Sequence, residues 1–315
     1  MAYASLDALI EGVRAGHPRA VGRLLTLIEN EAPVLRSAIS RLAADTGRAH
    51  VVGVTGAPGV GKSTTTTALV SALRAAGQRV GVLAVDPSSP FSGGALLGDR
   101  VRMQQHALDS HVFIRSMATR GHLGGLSVAA PQALRVFDAA GCDTVLVETV
   151  GVGQSEVEVA AAADTVLVLL APGMGDGIQA AKAGILEVGD IFVVNKGDRE
   201  GAQSLVRDLR TMVGLGARED RSWVPPILRT VASTSEGIAE LLAGVQRARR
   251  HAEATGHWQQ RRLDRARAEV EALALAQVRS TFSLPGRVGL LELAAAVRDG
   301  ALDPYSAADQ LLAEN

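Results

Sequence analysis

Gly56-Ala57-Pro58-Gly59-Val60-Gly61-Lys62-Ser63 follows the apolar run His50-Val51-Val52-Gly53-Val54 and precedes Thr64–Ala75, a segment able to continue as a helix. Gly-x-x-x-x-Gly-Lys-Ser between a strand and a helix is a phosphate-binding loop in the setting it requires. The spacing has a physical cause. Glycines let the backbone curl round an anion, so that successive N–H groups and a helix N-terminus converge on phosphate oxygens. Gly56, Ala57, Pro58, Gly59, Val60, Gly61, Lys62, Ser63 and Thr64 are therefore read as nucleotide-binding residues. Lys62 would neutralise the β- and γ-phosphates, and the Ser63 hydroxyl would ligate Mg²⁺. A chance glycine-rich turn is the alternative, and the flanking strand and helix argue against it.

The rest of the chain builds an α/β frame around this loop. With 315 residues there is room for one α/β domain of about 200 residues and smaller helical additions. Hydrophobic residues make up 47% and aromatics only 3%, so Ala, Val and Leu must fill a large core. A formal net charge of −1 gives no electrostatic footprint for nucleic acid. The single cysteine, Cys142, excludes a disulfide framework and a Cys-rich metal site, and suits a reducing compartment. There is no basic segment leading into a long apolar run at the N-terminus, and no apolar stretch of membrane-spanning length. The expectation is a cytoplasmic protein without a membrane span.

Strands are expected at Arg79–Asp86, Val112–Ser116, Asp143–Thr149, Thr165–Ala171, Ile191–Asn195 and Ile227–Ala232, with helices between them, including Ser127–Ala140 and Ile178–Val188. That alternation predicts a mostly parallel sheet flanked by crossover helices. Before it, Leu6, Leu9, Ile10 and Val13 share one helical face. Gly16-His17-Pro18 separates this helix from a second over Arg19–Asn30, and Pro33 opens a third that runs to about Asp45. These helices either pack on the core or bind a partner. After Gly256 the pattern becomes helical: Trp258–Phe282, Gly289–Arg298 and Ser306–Leu312. The long helix carries Leu263, Val270, Leu273 and Val278 on or near one face, which suits a dimerisation arm or packing onto its own core. The boundaries expected are 1–47 for an N-terminal helical extension, 48–255 for the nucleotide domain and 256–315 for the helical arm.

Ligands of open parallel sheets bind beyond the carboxyl ends of the strands. Asp86 and Glu148 both end strands there, as metal ligands or as ordinary helix caps. Glu148-Thr149-Val150-Gly151 has the acid-x-x-Gly form of a γ-phosphate sensor, which favours a catalytic and metal-holding role for Glu148. Gln154 either orients the attacking water or is a solvated loop residue. Asn195-Lys196-Gly197-Asp198 selects the base: Asp198 accepts from guanine N1–H and its 2-amino group, donors that adenine lacks. A surface turn is the bland reading of the same tetrapeptide. Val231-Ala232-Ser233 is placed to touch the base through the Ala232 N–H.

Taken together, these stretches resemble the MeaB/ArgK family of GTPases associated with methylmalonyl-CoA mutase. The resemblance rests on Gly56–Thr64, Val85–Pro90, Gly98-Asp99-Arg100, Phe113–Gly121, Glu148–Glu156, Asn195–Asp198 and Ser235–Ile238. It implies a P-loop NTPase fold of the SIMIBI-like class, shared with signal-recognition and metallochaperone NTPases, with helical N- and C-terminal extensions. It also implies GTP/GDP binding and hydrolysis, Mg²⁺ near Ser63, Asp86, Asp99 and Glu148, and a homodimer. Members act as G-protein chaperones of adenosylcobalamin-dependent acyl-CoA mutases, so such a mutase is the implied partner. An older label for similar proteins is an ATPase or kinase of lysine/arginine/ornithine transport. Nickel delivery is a further alternative, against which stand one Cys and seven scattered His. Three positions depart from the family pattern. Val231 stands where a serine is usual and Gly177 where a second acid is common, while Gly197 occupies a variable position expected to cost nothing.

Overall fold

The computed structural model describes residues 5–30, 32–86, 106, 108–118, 129–149, 155–173, 188–215, 222–281 and 289–313. Helices α1 (Leu6–Arg14), α2 (Pro18–Glu29) and α3 (Leu35–Leu42) come first, then β1 (His50–Thr55) and α4 (Lys62–Ala75). There follow β2 (Val80–Asp86), β3 (Val112–Ala118), α5 (Ala129–Ala139), β4 (Thr144–Thr149), α6 (Ser155–Ala162), β5 (Thr165–Leu170) and β6 (Ile191–Val194). The chain continues through α7 (Ala202–Leu215), β7 (Ile227–Arg229), α8 (Ile238–Thr255), α9 (His257–Thr281), α10 (Leu290–Arg298) and α11 (Pro304–Ala313).

The strands form one seven-stranded sheet in the order β3-β2-β4-β1-β5-β6-β7, and every pairing is parallel. Strands β1, β5 and β6 are buried along their whole length, so their sequences are continuous apolar runs instead of alternating ones. Val51, Val145, Val147, Val166 and Val168 face one cluster with α5, α6 and α7, while Val52, Val54, Leu146, Leu167 and Leu169 face another with α4 and α8. This is a doubly wound three-layer frame. β1 lies between β4 and β5, so the loop after β1 emerges where the strand order reverses, the point at which open α/β sheets bind ligands.

The N-terminal helices join the first of these clusters. Leu9, Ile10, Val13, Val21, Leu24, Leu25 and Ile28 are buried there together with α5 residues Val136 and Phe137. Their apolar spacing thus reads out as core packing. The connection into β1 is fixed by Asp138, whose carboxylate accepts from the backbone N–H groups of Gly47, Arg48 and Ala49 at 2.5, 3.2 and 3.0 Å.

Two compact units divide at Met1–Arg262 and Leu263–Asn315, so α9 begins in the first. Within the second unit, α10 and α11 pack on each other, with Leu293 and Ala307 buried. Leu263, Val270, Leu273 and Val278 of α9 are exposed, Val270 to 67%. The expected helix over Ile178–Val188 lies almost entirely outside the described residues. β7 stops at Arg229, short of the expected Ala232. Beyond it the chain reverses: Val231 donates its N–H to the Glu236 carbonyl at 3.0 Å, and Gly237 sits at φ +77. A Cβ on Gly237 would come within 2.2 Å of the Arg229 carbonyl oxygen, so this reversal demands glycine.

Candidate functional site: a phosphate loop joined to a base-recognition loop

The loop after β1 adopts the conformation its glycines permit. Gly56, Gly59 and Gly61 all have positive φ, at +138, +78 and +99. At Gly56 an added Cβ would lie 2.3 Å from the Leu169 carbonyl oxygen, so the loop lies tight on β5. No side chain caps α4, whose first residue is Lys62. Its N-terminal N–H groups thus face the loop, the arrangement that binds phosphate. Lys62 is buried, and its ammonium donates to the Gly56 and Ala57 carbonyls at 2.6 and 3.2 Å. The cation is therefore held against the loop's own backbone, between β1 and the helix.

Asn195, just past β6, joins this loop to the turn that follows β7. It is buried, donates from Nδ2 to the Val60 carbonyl at 2.8 Å, and accepts at Oδ1 from Thr230 Oγ1 and the Ala232 N–H at 3.2 and 3.1 Å. Lys196 adds a second tie, donating to the Gly59 carbonyl at 2.7 Å. Lys196 itself has φ +54, a conformation favoured only by local constraint in a residue with a Cβ. Asp198, in contrast, is exposed and open to a ligand.

The Ala232 N–H, expected to reach the base, donates instead to Asn195. Gly197, where glycine was expected to cost nothing, lies where a Cβ would approach Arg229 Cγ to 2.9 Å. Val231 and Ala232 are buried beneath this loop and Ser233 is exposed at its rim.

Glu148, the penultimate residue of β4, lies directly beside the phosphate-loop strand, in register with Val54 of β1. It is 2% exposed, and its Oε2 accepts a hydrogen bond from Thr66 Oγ1 at 2.6 Å. Thr66 follows Lys62 by four residues and Ser63 by three, spacings that put the three on neighbouring positions of one face of α4. Asp86 ends β2, the strand on the other side of β4. Asp99, Gln154 and Gly151 lie outside the described residues. Ser63 and Glu148 offer oxygen donors only, the chemistry that suits Mg²⁺ over softer ions. Among the described residues no group of three or more His, Cys, Asp or Glu gathers as a metal site.

A family profile described as methylmalonyl Co-A mutase-associated GTPase MeaB matches residues 21–284. The chain belongs to the MeaB family of GTPases. A Pyrococcus abyssi protein named as a GTPase is 45% identical over 312 residues, covering 98% of this chain and 96% of its own. The mouse protein named methylmalonic aciduria type A homolog, mitochondrial, is 36% identical over 268 residues, covering 83% of this chain and 64% of its own. A crystal structure of a protein named LAO/AO transport system kinase superposes with a TM-score of 0.70 at 27% identity, covering 99% of this chain and 97% of the other. The MeaB-family chain is thus a P-loop GTPase, a nucleotide-binding hydrolase on a parallel seven-stranded sheet. No helix among its described residues is long and apolar enough to cross a membrane.

At the opposite, amino-terminal edge of the sheet lies a second polar assembly that sequence reasoning missed. Asp164, before β5, accepts from the Val51 N–H at 2.9 Å and from Arg262 Nη2 at 3.0 Å. Asp190, before β6, accepts both terminal nitrogens of Arg261 at 2.8 Å. Arg262 also stacks over Trp258, 4.2 Å from the ring centroid, and Trp258 in turn lies against His50. Burial pushes the His50 imidazole down to about 4, Asp164 opposing and Arg249 and Arg262 assisting. The residues of this clamp are far apart in sequence and belong to no motif, so only the fold reveals it.

Proposed function

We propose that this GTPase acts as a G-protein chaperone of an adenosylcobalamin-dependent acyl-CoA mutase, of which methylmalonyl-CoA mutase is the type, with GTP hydrolysis as the conformational switch. The observation that carries the client assignment is the family match over residues 21–284, whose description names that mutase. The mouse relative's name, which refers to methylmalonic aciduria, supports the same metabolic setting. Composition and geometry contribute nothing to the choice of client.

The chemistry of hydrolysis is assigned to the loops described above. Backbone N–H groups of Gly56–Thr64 cradle the phosphates, and Lys62 exchanges its loop carbonyls for phosphate oxygens. Asp198, exposed at the mouth, accepts from guanine, with Asn195 and Lys196 holding the base loop to the phosphate loop. Val231, Ala232 and Ser233 are assigned to the edge of the base site, where the Ala232 N–H is held by Asn195. Glu148 and Gln154 are assigned to the attacking water. Ser63, Asp86, Asp99 and Glu148 would hold Mg²⁺, which neutralises phosphate charge when bound. Preorganised charge and N–H donors, not covalent chemistry, supply the catalysis in this class.

A cytoplasmic homodimer through residues 256–315 completes the reading. The exposed Leu263, Val270, Leu273, Leu275 and Val278 of α9 support it, because such a row is costly to leave in water. The name of the solved relative favours a second reading, a kinase of lysine/arginine/ornithine transport. Purified protein incubated with γ-labelled GTP or ATP separates the two: the chaperone reading expects free phosphate from GTP and no phosphorylated protein. Affinity capture with GDP and with a non-hydrolysable GTP analogue should enrich a cobalamin-dependent mutase in at least one state. Enrichment in neither removes the client.

A further inference from the structure

We infer that Thr66 is a positioning residue for GTP hydrolysis, acting by holding the Glu148 carboxylate against the phosphate-binding helix. The inference deepens the assignment of Glu148 made above and rests on it. Three observations carry it.

The first is where the Thr66 hydroxyl points. Hydroxyls inside a helix commonly bond back to the carbonyl four residues earlier. Thr67 does this to Ser63 at 2.8 Å, and Thr26 does it to Gly22 at 3.0 Å. Thr66 instead directs its one proton out of α4 to Glu148, at 2.6 Å. The second is burial. Thr66 is 0% exposed and Glu148 2%, so water does not compete for this bond. A hydroxyl-to-carboxylate bond of this length in a buried place is of the strong, charge-assisted kind.

The third is topology. Glu148 rides on β4 and Thr66 on α4, two elements that are distant in the chain and meet through the fold of the sheet. Thr66 stands one helical turn beyond Lys62 on the same face. The bond therefore references the acid to the very helix that holds the phosphates, and sets the rotamer of a side chain that a strand alone leaves free to swing. A carboxylate that acts on water must be placed within a fraction of an ångström. The sequence trace of this device is Lys62-x-x-x-Thr66 together with the acid-x-x-Gly segment.

The test compares T66V, T66S, E148Q and the double variant T66V/E148Q in the full-length protein. Valine keeps the shape of threonine and removes the proton donor; serine keeps the donor. T66V is expected to lower kcat for GTP about tenfold or more while KM and the affinity for GDP stay within about twofold. T66S should restore turnover. In the E148Q background T66V should cost turnover nothing further, and urea unfolding of wild type, T66V, E148Q and T66V/E148Q should show the same coupling, a readout independent of turnover. If T66V does not fold, T66A carries the same comparison. T66V or T66A with wild-type kcat, alongside an E148Q that has lost it, overturns the role of Thr66 alone. A loss in KM and GDP affinity matching the loss in kcat also overturns it, because that is what a purely structural threonine gives. E148Q with wild-type turnover instead overturns the underlying assignment of Glu148.

Discussion

Replacing Asn195 with alanine tests whether the base loop and the phosphate loop are one body. Asn195 is 3% exposed and makes three hydrogen bonds through its side chain: to the Val60 carbonyl, from Thr230 and from the Ala232 N–H. A buried bond contributes about 1 kcal/mol net, so the three together stabilise by about 3 kcal/mol. The loss should appear as a fall of roughly 6–12 °C in the melting temperature of a unit this size. Asp198, two positions from Asn195's neighbour Lys196, is exposed, and D198A should change stability by less than about 0.5 kcal/mol. Nucleotide binding separates the two in the opposite sense. N195A releases Val60 in the phosphate loop, so GTP and ATP should weaken alike. D198A removes only the acceptor proposed for guanine and should erase the preference for GTP over ATP by about 100-fold or more. Urea unfolding without nucleotide and competition binding with GTP and ATP give both numbers. An N195A protein as stable as the parent, or a D198A protein that loses as much stability as N195A, would refute the reasoning.

G56A should abolish GTP binding, measured by fluorescence titration, because its Cβ would lie 2.3 Å from the Leu169 carbonyl oxygen at φ +138. L24A, at a fully buried position of α2, should cost about 2–5 kcal/mol in urea unfolding, as a core residue does; a loss below about 0.5 kcal/mol would mean that α1–α3 are dispensable to the core. His50 makes stability acid-sensitive. Its native value of about 4 lies below the unfolded value near 6.5, so between these pH values the unfolded chain takes up a proton that the folded chain refuses. Stability is therefore intact above about pH 6.5 and falls by up to about 3 kcal/mol on the way to about pH 4, and H50Q should flatten that part of a pH series of urea midpoints.

The frame was legible because buried parallel strands announce themselves as apolar runs, and β1, β4, β5 and β6 are such runs bounded by glycine or polar residues. The phosphate loop was legible because phosphate geometry forces its glycines: two of the three, Gly56 and Gly61, have both positive φ and no room for a side chain. Ends were less legible. Ile227–Ala232 looked like one strand, yet Val231 turns away to pair with Glu236, an exchange that no local propensity records. The use of the Ala232 N–H escaped for a similar reason, since Asn195 lies 37 residues earlier and reaches it only once β6 and β7 are adjacent. Apolar spacing placed α1–α3 correctly as amphipathic helices but left open what they cover; the α5 residues Val136 and Phe137 supply the answer.

Arg261 and Arg262 decide where the chain could be cut. A protein ending at Gly256 would keep every strand and helix up to α8, yet it would lose the guanidinium partners of Asp164 and Asp190. The Asp164 side chain is 0% exposed, and a buried carboxylate deprived of its cation costs about 3–5 kcal/mol, comparable to the whole stability of a modest domain. The same cut removes Trp258 and uncovers His50. The first residues of α9, which belong by periodicity to the following helix, are thus needed to neutralise the floor of the sheet. A truncated GTPase should be ended after Arg262 if it is to fold.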